Sequence, residues 1–511
     1  MTQTDVTETK RRTTPAQWWA LGLASSASFL VILDMLVVAT SLTGIRRSLG
    51  ASLEQLEWTI NAYTLSFAVL LMTAAALGDR FGRRRMFMGG LAVFAVSSVA
   101  CALAPNTWTL IAARVVQGIG AATIMPMALA LLNATFPPQR RGWAIGVYGS
   151  VTGFAALVGP ILGGAVTQGL GWQWIFWLNV PIAAAAIPLV RLRVEEGFGP
   201  AGRIDLPGLL LVSAAALGLV WGLVRANEAG WDGAETITAL VVGTVAAACF
   251  VTWQRRAELP MLPVRMFGSR AFSAGNAAIF FLNASMTGAV FLMPQFQQVA
   301  VGHGPLGAGL RLLPWGIAPF LIAPRAGALA DRIGERLLVI IGLLCLAVGM
   351  AWIALIAAPG LGYLALVAPM SLVGVGFALA IPAVTRAVIA NVPRADIGKA
   401  SGAFSTMRQL GGAFGVAILA AVFAAAGGYA SPQAFSDGFA AAFAVGAIIA
   451  IAGALAGGAL PGRETPAVAA SASPPGQGRP GSAPANSAAA IDRPRPGRAR
   501  GGDHDAREAG T

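Results

Sequence analysis

Charged side chains make up only 11% of this 511-residue chain, against roughly 25% in soluble domains. Hydrophobic residues account for 56%, with 63 glycines besides. Too few polar groups remain to cover a water-soluble body of this size, which excludes a soluble enzyme. Histidine and cysteine are nearly absent. His303 and His504 fall in a loop and in the C-terminal region, and Cys101, Cys249 and Cys345 lie in separate apolar stretches without a CxxC pair. That argues against metal sites, redox centres and any His- or Cys-based catalytic set. Gly398 and Lys399 form the only Gly-Lys dipeptide; Ala400 follows it and no glycine precedes it at nucleotide-loop spacing, so nothing points to ATP. No enzymatic activity, cofactor or metal is expected. Alternation at period two is missing as well, which disfavours a transmembrane barrel.

Long apolar runs are abundant. A membrane-spanning helix needs about 20 mostly apolar residues, and fourteen such stretches follow one another from 17–44 to 438–460. The first is too long for a signal peptide and is read as a span. The net charge of +13 would suggest nucleic acid on a soluble chain, but its placement records topology instead. Of the 35 basic residues, only Arg46, Arg47 and Arg225 fall outside when the N-terminus is placed in the cytoplasm, and only Arg114, Arg311, Arg386 and Arg408 fall within spans. Lys and Arg are retained on the cytoplasmic side, so both termini are expected there, with no nucleic-acid partner. The layout is a tail at 1–16, six spans over 17–191, two spans at 206–254, six more over 271–460, and a Pro/Gly/Ala/Ser-rich tail at 461–511 expected to be disordered.

A motif recurs in the two halves. AALGDRFGRRRMF follows span 2 and GALADRIGERLL follows span 10, which aligns Asp79 with Asp331, Arg80 with Arg332 and Gly82 with Gly334. Parallel repeats with a substrate path between them are a transporter architecture. Asp and Arg at a short loop can pair with each other or with helix ends, and glycine allows the tight turn. Arg83 belongs to the same basic cluster, and the two loops are read as conformational switches.

These loops resemble the signature loop of the major facilitator superfamily. ARVVQGIGAA in span 4, GPILGG in span 5, WQWIFWLNVPI at span 6 and RQLGGAFGVAI in span 13 resemble its fourteen-span drug:proton antiporter branch. The resemblance covers about residues 15–460. It implies an all-α integral membrane fold of two six-helix bundles with two extra central helices, in the plasma or inner membrane. It also implies a proton-coupled exporter that moves small amphipathic molecules by alternating access; an uptake carrier or the dedicated exporter of one metabolite is the alternative. The chain is expected to act as a monomer, with protons, substrate and lipid as partners. The first span departs from the branch pattern: Leu36, Ala39 and Thr43 stand where Thr, Asn and Pro are usual.

Ionisable groups inside a span are costly and are functional candidates by default. Asp34 in FLVILDMLVVAT is the one carboxylate read as embedded. Burial raises a carboxylate pKa and a neighbouring arginine lowers it, so such a group can take and release a proton. Counting ~1.5 Å per residue puts Asp34 and Arg114 in the outer half, within reach of each other. The resemblance gives both a role in proton coupling. Gly159, Pro160, Gly163 and Gly164 in span 5 suit close helix packing and a bend, and in the resembled branch this motif accompanies export. Trp58, Tyr63, Arg408 and Gln409 are candidates for the cavity wall, as are Phe154, Trp315 and Phe404. Arg386 is close enough to a helix end to snorkel. Four embedded arginines against one carboxylate favour neutral, zwitterionic or anionic cargo over dications.

Overall fold

The structure, a computed structural model, describes residues 14–199, 205–258, 260–262, 264–389, 392 and 396–462, and within its helices leaves undescribed the side chains of, among others, 323–328 and 330–332. The tail expected at 461–511 lies almost wholly outside the described residues, as does most of 1–16. Among the described residues there are fourteen helices long and apolar enough to cross a membrane, and no strand. In chain order the helices are α1 (Pro15–Leu49), α2 (Leu53–Phe81), α3 (Arg83–Ala102), α4 (Thr107–Thr135), α5 (Pro138–Gly169), α6 (Asn179–Arg193), α7 (Leu206–Ala229), α8 (Ala234–Arg256), α9 (Arg270–Val299), α10 (Leu313–Ile333), α11 (Glu335–Ile356), α12 (Tyr363–Ile389), α13 (Ile397–Ala426) and α14 (Pro432–Gly458), the sixth span running over Trp174–Arg193 and the tenth over Pro305–Ile322. Short helical segments at Trp174–Trp177 and Pro305–Arg311 lead into α6 and α10.

Helix ends follow local chemistry. Thr14 and Ser52 each build a capping box, with Gln17 and Gln55 returning the bond to the cap backbone; such boxes satisfy two of the free N–H groups at a helix start. The Ser52 box starts α2 five residues before the apolar run at 58. This corrects the sequence reading of a single embedded carboxylate, because Glu57 is wholly buried and Glu54 nearly so.

The helices pack in two groups of six, α1–α6 and α9–α14. The groups meet through α2 on α13, α1 on α9, and α5 on the 305–311 segment and α10. Helices α7 and α8 pack chiefly on each other, with α7 touching α2 and α13. Asp205 pins this added pair: its carboxylate caps Gly208 N at 2.9 Å and accepts from Trp253 Nε1 at 2.7 Å and Gln254 Nε2 at 2.5 Å on α8. Burial alone would raise the Asp205 pKa, but these hydrogen bonds outweigh it and hold the group below its ordinary value.

Two faces can be distinguished. The N-terminal face carries the start of α1 and the α2–α3 turn; the far face carries the α1–α2 turn and the segment leading into α10. At the N-terminal face Gly82 and Gly334 both adopt positive φ, 104° and 86°, between α2 and α3 in one half and α10 and α11 in the other. Positive φ is readily available to glycine alone, which explains why the repeated motif keeps it in both halves.

Candidate functional site

Asp34 on α1 and Arg114 on α4 form an ion pair, each 1% exposed at the side chain. A pair in so dry a place holds only when its remaining donors and acceptors are satisfied, and here they are. The Asp34 carboxylate also accepts from Gln117 Nε2 at 2.9 Å and Asn179 Nδ2 at 2.8 Å. Arg114 donates to Gln117 Oε1 at 2.7 Å and to the Thr59 carbonyl at 3.1 Å. Ser98 Oγ accepts from Gln117 Nε2 at 2.9 Å. The Tyr63 ring lies 4.2 Å from the guanidinium carbon, a cation–π contact, and its hydroxyl donates to the Val31 carbonyl at 3.2 Å. Five of the first six helices thus converge on one carboxylate. Gln117 and Asn179 were not singled out from the sequence, although Gln117 stands one turn after Arg114, where side chains share a face.

A cavity of about 990 Å³ lies between the two groups of helices. Its wall includes Leu36, Ala39 and Thr40 of α1, Gly146, Ser150 and Pro160 of α5, Met286 and Pro294 of α9, Trp315 and Phe320 of α10, and Phe377 and Ile381 of α12. One glycine stripe on α5 reads in two ways. At Gly146, Gly149 and Gly153 an added Cβ would meet nothing within 4 Å, so this stretch faces open space. At Gly159 it would come within 2.9 Å of Leu36 Cβ, and at Gly163 within 3.0 Å of Val37 Cα. The first stretch borders the cavity; the second clamps α5 onto α1.

Beyond Pro160, toward the far face, the gap is shut. Gly164 packs on the Pro305 carbonyl, and Gly309 packs on the Pro160 carbonyl. Thr43 Oγ1 donates to Gln298 Oε1, while Gln298 Nε2 donates to the Thr40 carbonyl at 3.0 Å. The Arg46 guanidinium stacks 3.9 Å from the Tyr429 ring centroid, and the Tyr429 hydroxyl donates to Gln295. Each of these contacts joins the first half to the second or braces one that does.

The model of the Major Facilitator Superfamily matches residues 24–416 and 277–492. The chain belongs to the major facilitator superfamily. It is 34% identical over 399 residues to the multidrug resistance protein Stp of Mycobacterium tuberculosis, covering 78% of this chain and 74% of that one. It is equally identical over 423 residues to the tetracenomycin C resistance and export protein of Streptomyces glaucescens, covering 82% and 78%, and over 413 residues to the puromycin resistance protein of Streptomyces alboniger, covering 79% and 81%. Among solved structures, a POT family transporter in complex with 5-aminolevulinic acid superposes with a TM-score of 0.65 at 15% identity, over 85% of this chain and 94% of that one. A bacterial homologue of the human lysosomal transporter Spinster, inward-facing and unoccupied, gives 0.62 at 16%, over 88% and 98%. At those identities the likeness concerns the fold. The chain is a multi-pass transporter of the cell membrane, from a family of carriers rather than enzymes.

In this facilitator the remaining sequence candidates take varied places. At the first signature loop, Arg83 donates to Asp79 Oδ1 at 2.9 and 2.7 Å. Gly199 N donates to the Asp79 carbonyl at 3.0 Å, and Arg83 N to the Gly197 carbonyl at 2.8 Å. Glu196, unnoticed in the sequence, accepts from Arg84 N at 2.8 Å at the start of α3, where a carboxylate suits the helix dipole. Arg80 points to the surface beside Phe81. The side chains of Asp331 and Arg332 lie outside the described residues, so the second loop is seen only through Gly334 and the adjoining ion pair of Glu335 with Arg386 at 3.5 Å. Arg386 lies in the last turn of α12 with its side chain 43% exposed, so its charge reaches the N-terminal face where it meets Glu335.

The proposed cavity wall needs revision. Trp315 lines the cavity, but Trp58 packs against Trp221 of α7 at 5.3 Å, and Tyr63 covers Arg114. Phe404 and Gln409 are buried and are not among the residues that line the cavity. Arg408 is not among the lining residues either, and its Nε is buried without a partner. Identifying a wall residue needs the rotation of each helix, which apolar spans without strong amphipathicity do not display.

Proposed function

We propose that this transporter is a proton-coupled exporter of small amphipathic molecules, with its N-terminal face in the cytoplasm. The observation that carries the reading is the position of α1. One side of it holds Asp34 in the buried pair, and the other holds Leu36, Ala39 and Thr40 in the cavity wall, with Gly159 and Gly163 clamped against it. A change of charge at Asp34 therefore bears on the helix that forms both wall and clamp. The far-face contacts support an inward-facing arrangement, and the basic residues gathered at the N-terminal face support its cytoplasmic placement. Relatives named for resistance to and export of antibiotics support the outward direction.

In the proposed cycle substrate enters from the cytoplasm or inner leaflet while Asp34 is ionised and paired. The carrier opens outward and releases it. Protonation of Asp34 from outside weakens its hold on Arg114 and favours return. Ligand and proton shift the two states only through different affinities for each. The loop around Asp79 stabilises one of the two states. In inverted vesicles with an acidic interior the chain should accumulate amphipathic compounds; accumulation by whole cells under an inward proton gradient instead would make it an uptake carrier.

A milder test concerns the loop. Asp79→Asn removes the pair with Arg83 but leaves the backbone bond to Gly199. It is expected to slow turnover about fivefold, the worth of ~1 kcal/mol for a partly exposed pair, with substrate affinity unchanged, as read from initial rates and equilibrium binding.

A further inference from the structure

We propose that the seam between α5 and α10 is a lateral portal through which an uncharged lipophilic molecule, dissolved in the leaflet at the N-terminal face, reaches the cavity; this deepens the exporter reading and rests on it for the identity of the cavity. The two helices diverge from a contact near the far face. There Gly309 packs on the Pro160 carbonyl, and an added Cβ at Gly316 would come within 3.2 Å of Leu157 Cα. A turn further on, Phe154 and Phe320 still touch, with ring centroids 6.5 Å apart. Beyond them, at Gly153, Gly149 and Gly146, an added Cβ meets no described atom within 4 Å. The stretch from Trp143, where the fifth span begins, to Phe154 covers ~16 Å at ~1.5 Å per residue. That is about half of a ~30 Å hydrocarbon core, so the gap faces one leaflet.

The opposite seam is closed. The Thr406 hydroxyl of α13 donates to the Ala68 carbonyl of α2 at 3.3 Å, and an added Cβ at Gly402 would lie 3.1 Å from Met72 Cγ. Counted from their helix ends, Met72 and Gly402 lie nearer the N-terminal face than Phe154 and Phe320 do. So α2 and α13 remain together at a depth where α5 and α10 have parted. Helix α7 lies against both, with Trp221 on Trp58 at 5.3 Å. Helix α5 has no such cover: only 17% of its most apolar window is buried, against 67% for α2.

The lining sets the chemistry of the cargo. None of the described residues around the cavity is ionisable. The hydroxyls of Thr40 and Ser150 already donate to the Val37 and Gly146 carbonyls of their own helices, at 2.8 and 3.0 Å, and the Trp315 indole N–H is directed at Met286 Sδ at 3.2 Å. A charge brought here would find no partner and would be costly, whereas an uncharged apolar body passes from one apolar medium into another. This narrows the cargo suggested by the embedded arginines to its neutral class. Phe320 lines the cavity, while Phe154 is 44% exposed and is not a lining residue. The ring pair therefore joins the lipid side of the seam to the cavity side.

The test places bimane inside the cavity at Val290→Cys on α9, with Cys249→Ser and Cys345→Ser in the background and buried Cys101 left in place. The protein is held in nanodiscs containing phosphatidylcholine with a doxyl group at mid-chain. That quencher is tied to the bilayer and cannot arrive through water, so it reaches the label only between helices. Strong quenching is expected. Gly149→Leu with Gly153→Leu, which fills the seam, should remove most of it, and Phe154→Trp, a milder filling, part of it. Gly169→Leu, in open surroundings at the far end of the same helix, should leave it unchanged. In a second arm the unlabelled protein is titrated by fluorescence with neutral N-phenylnaphthylamine and with anilinonaphthalene sulfonate, empty nanodiscs being subtracted. The neutral dye is expected to bind at least about tenfold more tightly, because the sulfonate charge would be buried unpaired. No quenching in the unfilled protein, equal quenching in the filled variants, or sulfonate binding as tight as that of the neutral dye would each overturn the proposal. No gradient is applied, so a protein that meets these expectations but moves nothing outward would overturn the export reading and leave this one standing.

Discussion

Replacing Asp34 by Asn is expected to bring gradient-driven transport down to the level of protein-free vesicles while the protein still inserts and folds. The carboxylate is the group in this buried network that can exchange a proton and reset the charge on α1; asparagine keeps its shape and hydrogen-bonding but cannot ionise. The variant leaves Arg114 buried without its counter-ion, and breaking such a pair costs about 3–5 kcal/mol in a protein interior. Gln117 Oε1 and the Thr59 carbonyl still accept from Arg114, which limits the damage. The double variant Asp34→Asn with Arg114→Gln removes both charges and controls for stability. If the pair only locked α1 to α4, the double variant would recover transport. If Asp34 carries the proton, folding recovers and transport does not. Rates in proteoliposomes and thermal unfolding of the same preparations separate the two outcomes.

Gly164→Ala is expected to have the other large effect. Its Cβ would fall 2.9 Å from Leu306 Cα and closer still to the Pro305 carbonyl. Backbone cannot swing aside as a side-chain tip can, so the halves must separate at the far face. Overpacking of this kind costs about 1–3 kcal/mol, which corresponds to about a 5- to 150-fold shift between two states. Spin labels on the far-face loops at 50–52 and 300–304 should report a longer separation in the variant, and transport should fall at least about tenfold. Gly169→Ala is the matched control: it lies on the same helix, and a Cβ there meets nothing within 4 Å. Similar defects in both variants would show that helix propensity, rather than closure, explains the loss.

The sequence made some of this readable and hid the rest for physical reasons. Fourteen spans were legible because hydrocarbon demands long apolar helices, and Asp34 and Arg114 because charge is so rare within them. Gln117, Asn179 and Ser98 were hidden because uncharged polar residues recur throughout these spans, and nothing local tells a ligand of Asp34 from a residue at a helix contact. Glu57 was hidden by a boundary: the hydropathy window began at 58, whereas the Ser52 cap starts the helix at 53. The departures from the branch pattern in the first span became intelligible only in three dimensions. Leu36 and Ala39 face the cavity, and Thr43 bonds to Gln298 at the far-face closure. They alter the wall and the gate while leaving the Asp34 pair intact.

Proton release on substrate binding reports on Asp34 itself. Purified protein in weakly buffered nanodiscs, mixed with a transported compound, should release protons detectable by a pH dye, because the ionised and protonated forms of Asp34 differ in affinity for substrate. Release is expected from the wild type across the pH range in which transport is active, and none from Asp34→Asn although it still binds. Equal release from the two proteins would contradict it and remove Asp34 from the coupling step.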